Sequence, residues 1–141
     1  MRLKQVWDNL YVGDIQAATT CSNMDIVSLI HQSPQFTSRH LHINMVDARE
    51  PKYFNIEQFL SVSAWIRPLR PTLIHCNEGK SRGPSMALYY LALNGHINST
   101  SYYKAYADFK ALYPDFMPNT GIREFMSSMW GELMFPSHRM L

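Results

Sequence analysis

The chain has 141 residues, of which 46% are hydrophobic and 17% charged, and its formal net charge is +2. This length fits one domain, residues 1–141, and the composition supports a packed core. The low net charge argues against a general nucleic-acid binder. No stretch of the sequence is apolar over the roughly 20 residues that a membrane helix needs.

Short runs rich in apolar and branched residues predict four β-strands. These strands are Leu10–Gly13, residues 24–30, residues 41–46 and Thr72–His75. Capping residues and helical spacing predict four helices. These helices are residues 56–66 after Asn55, residues 82–94 before Gly95, residues 102–112 after Ser101, and residues 120–130 after Asn119. The alternation predicts a single α/β domain with a central, mainly parallel sheet flanked by helices.

The segment after the strand Thr72–His75 carries the most informative pattern. Cys76 ends an apolar run, five residues follow, and Arg82 stands where a helix begins. A thiol that faces a helix N-terminus is placed to become a thiolate. The same backbone geometry binds an oxyanion such as phosphate. The pattern therefore predicts a nucleophile and an anion site built from one loop.

The residues of this loop suggest separate roles. Arg82 offers a planar fork of donors that can grip two phosphate oxygens. Gly79 lets the backbone take a conformation that a side chain would hinder, and His75 is placed to support the loop. The predicted phosphate-binding residues are Asn77, Glu78, Gly79, Lys80, Ser81 and Arg82. A buried structural cysteine beside a surface arginine is the alternative, and it does not explain the rest of the loop.

The pattern His75-Cys76-x5-Arg82 resembles the signature of the cysteine-dependent protein tyrosine phosphatases, and the short chain resembles their dual-specificity branch. Residues 7–14 (WDNLYVGD) and 113–122 (YPDFMPNTGI) resemble segments of the same branch. The resemblance implies a protein tyrosine phosphatase-like fold. It also implies hydrolysis of phosphotyrosine, with phosphoserine and phosphothreonine as further substrates, through a phosphocysteine intermediate. No metal or organic cofactor is expected for this reaction.

Such a reaction needs a carboxylic acid that protonates the leaving oxygen and later activates water. In the family this acid is an aspartate on a loop upstream of the signature. Asp47, which follows the predicted strand 41–46, is our candidate. Glu50 is the alternative, whereas Glu57 lies at a helix start, where the helix dipole favours a carboxylate.

Gly83 departs from the family pattern, and Lys80 leaves the class of substrate open. The family usually has Ser or Thr directly after the arginine, where this chain has Gly83. We expect either slowed hydrolysis of the phosphocysteine or a substitute hydroxyl from Ser81 or Ser85. Lys80 beside Glu78 keeps lipid phosphates and RNA 5′-phosphates as alternatives to phosphoproteins. A phosphopeptide-binding module without turnover, a sulfurtransferase and an arsenate reductase are further alternatives.

The two cysteines, Cys21 and Cys76, bear on location, because the predicted site needs a free thiol. We therefore expect a reducing, intracellular and cytoplasmic location, and the first eight residues lack the apolar run of a signal peptide. The expected partner is a phosphorylated protein or peptide, with no nucleic acid, no membrane insertion and a monomeric chain. His40 and His42 share a strand face, but two histidines without a third ligand are a weak metal signal.

Overall fold

The computed structural model describes residues 1–21 and 23–135, and a five-stranded sheet lies at its centre. The strands are β1 (Leu3–Trp7), β2 (Leu10–Gly13), β3 (Asp25–Leu29), β4 (His40–Ile43) and β5 (Thr72–His75). Their order is β1-β2-β5-β3-β4, with β1 antiparallel to β2 and every other neighbouring pair parallel. The predicted mainly parallel sheet is confirmed. The predicted domain 1–141 also contains Ser22 and residues 136–141, which lie outside the described residues.

Helices cover both faces of this sheet. They are α1 (Ile15–Thr20), α2 (Ile56–Trp65), α3 (Arg82–Leu93), α4 (Tyr102–Leu112), α5 (Thr120–Ser128) and α6 (Trp130–Met134), with a 3₁₀ turn at Pro51–Tyr53. Successive strand residues point to opposite faces. Thus Ile74 of β5 joins the large core with α2 to α6, whereas Leu73 packs with Ala17 and Ala18 of α1.

Polar side chains cap three of the four helices that the sequence predicted, α2, α4 and α5. The Asn55 side chain accepts a hydrogen bond from the backbone N–H of Gln58, whose side chain accepts one from the Asn55 N–H, and the two form a capping box for α2. Ser101 caps α4, and Asn119 caps α5. Three elements escaped prediction: β1, α1 and α6, which have five or six residues each. Only one residue of β1 is buried, so its sequence lacks an apolar run, and α1 and α6 are too short to show a helical period.

One boundary differs from the prediction in a way that matters for the site. The strand expected over residues 41–46 is β4, which ends at Ile43. Two residues further on, the Met45 carbonyl oxygen accepts a hydrogen bond from Arg82 instead of pairing in the sheet. Residues 46–50, here called the Asp47 loop, therefore leave the sheet and run past the start of α3.

No helix in the described part of the chain is long and apolar enough to cross a membrane.

Candidate active site

Residues 76–82, here called the Cys76 loop, connect β5 to α3. Cys76 is only 2% exposed and Arg82 only 6% exposed, so both ends of the loop are buried. Gly79 has a φ of +74°, and a Cβ there would lie 2.9 Å from the carbonyl carbon of Gly13. The turn therefore requires glycine for its backbone conformation and for its close approach to β2.

The carbonyl oxygens of this loop are held from outside. Six successive carbonyl groups, from Cys76 to Ser81, each accept a hydrogen bond. In order, the donors are His75 Nδ1 (3.1 Å), the Ile15 N–H (3.1 Å), Arg2 Nη1, the Tyr113 hydroxyl (2.6 Å), the Met117 N–H (2.8 Å) and the Ser85 N–H (2.9 Å). Four of these donors come from Arg2 just before β1, from α1, and from the segment between α4 and α5, so distant parts of the chain fix the loop.

The N–H groups of the same peptides have the opposite orientation. A peptide unit is planar and trans, so a carbonyl that points outward directs the following N–H inward. Among the described residues, none of the backbone N–H groups from Asn77 to Arg82 has an acceptor. The N-terminus of the twelve-residue helix α3 adds its positive dipole end. Together these groups form a cradle for an oxyanion next to the Cys76 thiol.

Arg82 lies at the inner edge of this cradle. Its Nη1 donates to the Met45 carbonyl oxygen at 2.7 Å, which anchors the guanidinium to the segment that leads into the Asp47 loop. None of its other N–H groups has an acceptor among the described residues. These donors are available to an anion, and the buried position strengthens their interaction with charge.

The Asp47 loop is joined to the Cys76 loop through Asn119. The side-chain Nδ2 of Asn119 donates to Asp47 Oδ1 at 3.1 Å, and its backbone N–H donates to Ser81 Oγ at 2.8 Å. The structure thus brings Asp47 to the rim of the Cys76 loop. Glu50, the alternative acid, instead pairs with Lys52 at 3.3 Å, and its side chain is 63% exposed.

The first turn of α5 also holds the Asp47 loop, a feature that sequence reasoning missed. Thr120 Oγ1 donates to the Arg49 carbonyl oxygen at 2.9 Å. Gly121 packs so closely that a Cβ there would collide with the Ala48 carbonyl oxygen and lie 2.8 Å from that of Glu50. The sequence carried two signals: the resemblance of residues 113–122 to a family segment, and a glycine within the first turn of a predicted helix, where it lowers helix propensity.

The small space at position 83 explains why the chain has glycine there. A Cβ at this position would lie 3.2 Å from the His75 carbonyl carbon and 3.3 Å from the Cys76 nitrogen, both backbone atoms that cannot easily move. Neither serine proposed as a substitute hydroxyl reaches the thiol. Ser81 Oγ accepts from the Asn119 N–H, and the buried Ser85 Oγ has no partner among the described residues.

His75 supports the Cys76 loop from the sheet. It is fully buried, and burial is the main cause that lowers its pKa from the ordinary 6.5 to about 4. The ring is therefore neutral near pH 7, and the bond to the Cys76 carbonyl requires the proton on Nδ1. In the described part of the chain, no cluster of three or more His, Cys, Asp or Glu side chains could hold a metal ion.

Comparison with solved structures identifies the class of fold that carries this site. No family model matches the sequence. Solved dual-specificity phosphatases match along nearly the whole chain, so the protein has the fold of that branch of the cysteine-dependent phosphatases. This result confirms the fold expected from the signature and from its flanking segments.

Three matches illustrate the likeness. DUSP15 has a TM-score of 0.76 at 17% identity, covering 99% of this chain and 96% of its own. The human tyrosine phosphatase-like serine/threonine/tyrosine-interacting protein has the same TM-score and identity, covering 99% of each chain. OH1 from the Orf virus, described as a tyrosine phosphatase with triple substrate specificity, has a TM-score of 0.67 at 18% identity, covering 92% of this chain and 87% of its own.

Proposed function

We propose that the protein is a cysteine-dependent phosphatase that hydrolyses phosphotyrosine, and also phosphoserine and phosphothreonine, in protein substrates. The observation that carries this proposal is the set of inward N–H groups around Cys76. An oxyanion bound there has its phosphorus next to the thiol sulfur. Neighbours of the same fold are named as tyrosine phosphatases, which supports the same chemistry.

The first step transfers the phosphoryl group to sulfur. The Cys76 thiolate attacks phosphorus, a P–S bond forms, and the P–O bond to the leaving group breaks. The N–H groups of the loop and the Arg82 guanidinium stabilise the equatorial oxygens as charge redistributes. Asp47, in its acid form, gives its proton to the leaving oxygen, which departs as an alcohol or phenol.

The second step returns the enzyme to its starting state. Asp47, now a carboxylate, takes a proton from water as the water oxygen attacks phosphorus. The P–S bond breaks, inorganic phosphate leaves, and Cys76 is again a thiolate. Asn119 Nδ2, which lies 3.1 Å from Asp47 Oδ1, orients the carboxyl group in both steps.

Aryl phosphates with good and poor leaving groups test the role of Asp47. For poor leaving groups, we expect Asp47→Asn to lower kcat/KM by about a hundredfold or more, since the proton is then missing in the transition state. For good leaving groups the loss is small. Glu50→Gln is the matched control and leaves both rates unchanged. An equal loss for both classes of substrate would remove Asp47 from the acid role, and turnover by Cys76→Ser would refute the whole proposal.

We further propose a phosphorylated protein or peptide as the partner, a monomeric chain and a cytoplasmic location. The net charge of +2 supports a protein rather than a nucleic-acid substrate. Both cysteines, Cys21 and Cys76, are free thiols, as suits a reducing compartment. A panel of phosphotyrosine and phosphoserine peptides, a phosphoinositide and an RNA 5′-triphosphate tests the substrate class. The peptides should be hydrolysed fastest.

A phosphopeptide-binding protein with slow turnover is the second candidate, and Gly83 favours it. No hydroxyl of Ser81 or Ser85 donates to the thiol, so neither serine stabilises the thiolate that departs in the second step. One neighbour of the same fold is named as an interacting protein. Rapid-quench kinetics separate the candidates, because a slow second step gives a burst of one leaving group per site.

Two variants at Gly83 refine that measurement. Gly83→Ser adds a hydroxyl and a Cβ, whereas Gly83→Ala adds only the Cβ, which lies close to the backbone of His75 and Cys76. If the missing hydroxyl limits turnover, the serine variant turns over faster than the alanine variant. Equal rates for both variants, without a burst in the wild type, would count against the second candidate.

A further inference from the structure

A row of hydrogen-bonded side chains crosses the sheet behind the Cys76 loop. His75 Nε2 lies 2.6 Å from Ser28 Oγ, and Ser28 Oγ lies 2.8 Å from His40 Nε2. The three residues come from β5, β3 and β4, which are adjacent strands. His75 and Ser28 are fully buried, whereas His40 is partly exposed. The row therefore runs from the loop to the surface of the molecule.

The protons in this row can be assigned from its partners. The Cys76 carbonyl can only accept, so His75 Nδ1 carries a proton and, in the neutral ring, Nε2 is an acceptor. Ser28 must then donate its hydroxyl proton to His75 Nε2. The oxygen of Ser28 is left to accept, so His40 donates from Nε2. Every donor points towards Cys76.

Two aromatic side chains, Phe36 and His42, pack against the rings of this row. Phe36 lies edge-on to both rings, with its centroid 4.7 Å from that of His40 and 6.1 Å from that of His75. His42 stacks on His40 with ring centroids 6.4 Å apart, but its Nε2 lies 2.8 Å from the Ile30 carbonyl oxygen. His42 thus shares the strand and the chemistry of His40 without belonging to the row.

We infer that Ser28 and His40 are positioning residues, which fix the tautomer and orientation of the His75 ring and thereby the inward direction of the Asn77 N–H. The link is the peptide between Cys76 and Asn77. His75 Nδ1 holds its carbonyl outward, and planarity then directs its N–H into the cradle. The effect on anion binding rests on the proposed function, whereas the effect on the His75 ring does not.

Two measurements test this inference on the full chain. Nitrogen-15 NMR of the histidine rings reports which nitrogen of His75 carries the proton, and the amide resonance of Asn77 reports its peptide. Titration with orthovanadate reports anion binding. The variants are Ser28→Ala, which removes a buried hydroxyl without adding volume, His40→Leu, which removes the outer donor, and His40→Gln, whose amide can donate in its place. His42→Leu is the matched control.

In the wild type we expect the proton on His75 Nδ1 and none on Nε2. Ser28→Ala and His40→Leu should shift the Asn77 amide resonance and weaken orthovanadate binding by about threefold to tenfold, the size of one hydrogen bond. His40→Gln should recover most of the loss, and His42→Leu should bind within about twofold of the wild type, since it keeps every bond of the row.

Other outcomes would overturn the inference. A wild-type ring with its proton on Nε2 contradicts the proton assignment. An unshifted Asn77 amide in both Ser28→Ala and His40→Leu contradicts the positioning role, whether or not the protein binds anions. If the wild type binds no orthovanadate although His75 has the expected tautomer, the proposed function fails, and the row is then judged on the Asn77 resonance alone.

Discussion

The Cys76 loop and the Asp47 loop lie side by side but are held in different ways. The Cys76 loop is largely buried, and each of its carbonyl groups from Cys76 to Ser81 has a hydrogen-bond donor. The Asp47 loop is mostly exposed and is fastened mainly by the first turn of α5. A loop that stabilises charge works best when its dipoles are fixed beforehand. In the reaction that we propose, Asp47 gives a proton to the leaving group and takes one from water, and an exposed loop gives it access to both.

We expect the largest effect from a substitution of Arg82, which joins the two loops. Arg82→Lys keeps a positive charge but loses the planar fork that grips two oxygens and the anchor to Met45. We expect kcat to fall by about a hundredfold or more, the usual loss when a transition-state donor is removed. The exposed Arg67→Lys is the control and keeps full activity. A loss of less than about fivefold would show that charge alone suffices at this position.

Acidification should lower the free energy of unfolding through His75, which supports the Cys76 loop. Its pKa in the folded protein is about 4 against an ordinary 6.5, with burial as the main cause. Between these pH values, His75 binds a proton in the unfolded chain but not in the folded protein. The contribution of His75 to the free energy of unfolding is therefore complete above about pH 6.5, falls as the pH drops, and is lost below about pH 4, a total of about 3 kcal/mol.

Urea unfolding of the wild type and of His75→Asn across this pH range tests the assignment. Groups common to both proteins cancel in the difference between the two curves. The variant should lose less free energy of unfolding on acidification, because it lacks the buried imidazole. Parallel curves would show that His75 does not carry this pH dependence.

A substitution at Gly121 tests how closely α5 packs on the Asp47 loop. Gly121→Ala forces a methyl group against the carbonyl oxygens of Ala48 and Glu50. We expect the free energy of unfolding to fall by about 1–3 kcal/mol. Turnover of substrates with poor leaving groups should fall while orthovanadate affinity stays near that of the wild type, because the atoms nearest to the added methyl group belong to the Asp47 loop.

Gly131→Ala is the matched control for that experiment. Gly131 lies in α6, and nothing lies within 4 Å of the position that its Cβ would take. An added methyl group there should stabilise the protein by about 0.5–1 kcal/mol, since alanine is the better helix former. Free energies that change in the same direction for both variants would contradict the close packing of α5 on the Asp47 loop.

The smallest expected effect removes one support of the Cys76 loop. Tyr113→Phe deletes the hydroxyl that donates to the Gly79 carbonyl oxygen at 2.6 Å. We expect a loss of about 1 kcal/mol in the free energy of unfolding and about threefold weaker orthovanadate binding. Tyr103→Phe, at a 66% exposed side chain of α4, should change neither quantity. Binding that survives unchanged in Tyr113→Phe would mean that the remaining donors hold the loop on their own.

The parts of this molecule that were predictable from sequence are those with local causes. The five residues between Cys76 and Arg82 and the strand and helix around them are contiguous. Asp47 stays a prediction, made because the family resemblance places the acid on a loop upstream of the signature and Asp47 follows a strand there. The supports were not predictable. Arg2, Ile15 and Tyr113 meet the Cys76 loop only after the chain has folded, and no periodicity links them to it. The end of β4 was placed too late for a similar reason, since a distant side chain competes for the Met45 carbonyl.

The bond from Arg2 to the Glu78 carbonyl has a consequence for the order of folding. Its partners lie 76 positions apart in the chain, and those of the Tyr113–Gly79 bond lie 34 apart. Contacts of such long range cost the most chain entropy and form late. A refolding chain should therefore form its helices, whose contacts are local, before the Cys76 loop can hold an anion. Inorganic phosphate should therefore slow the unfolding of the folded protein, because it binds only the finished loop. It should not change the rate of the early steps of refolding. Anion binding then reports the last stage of folding.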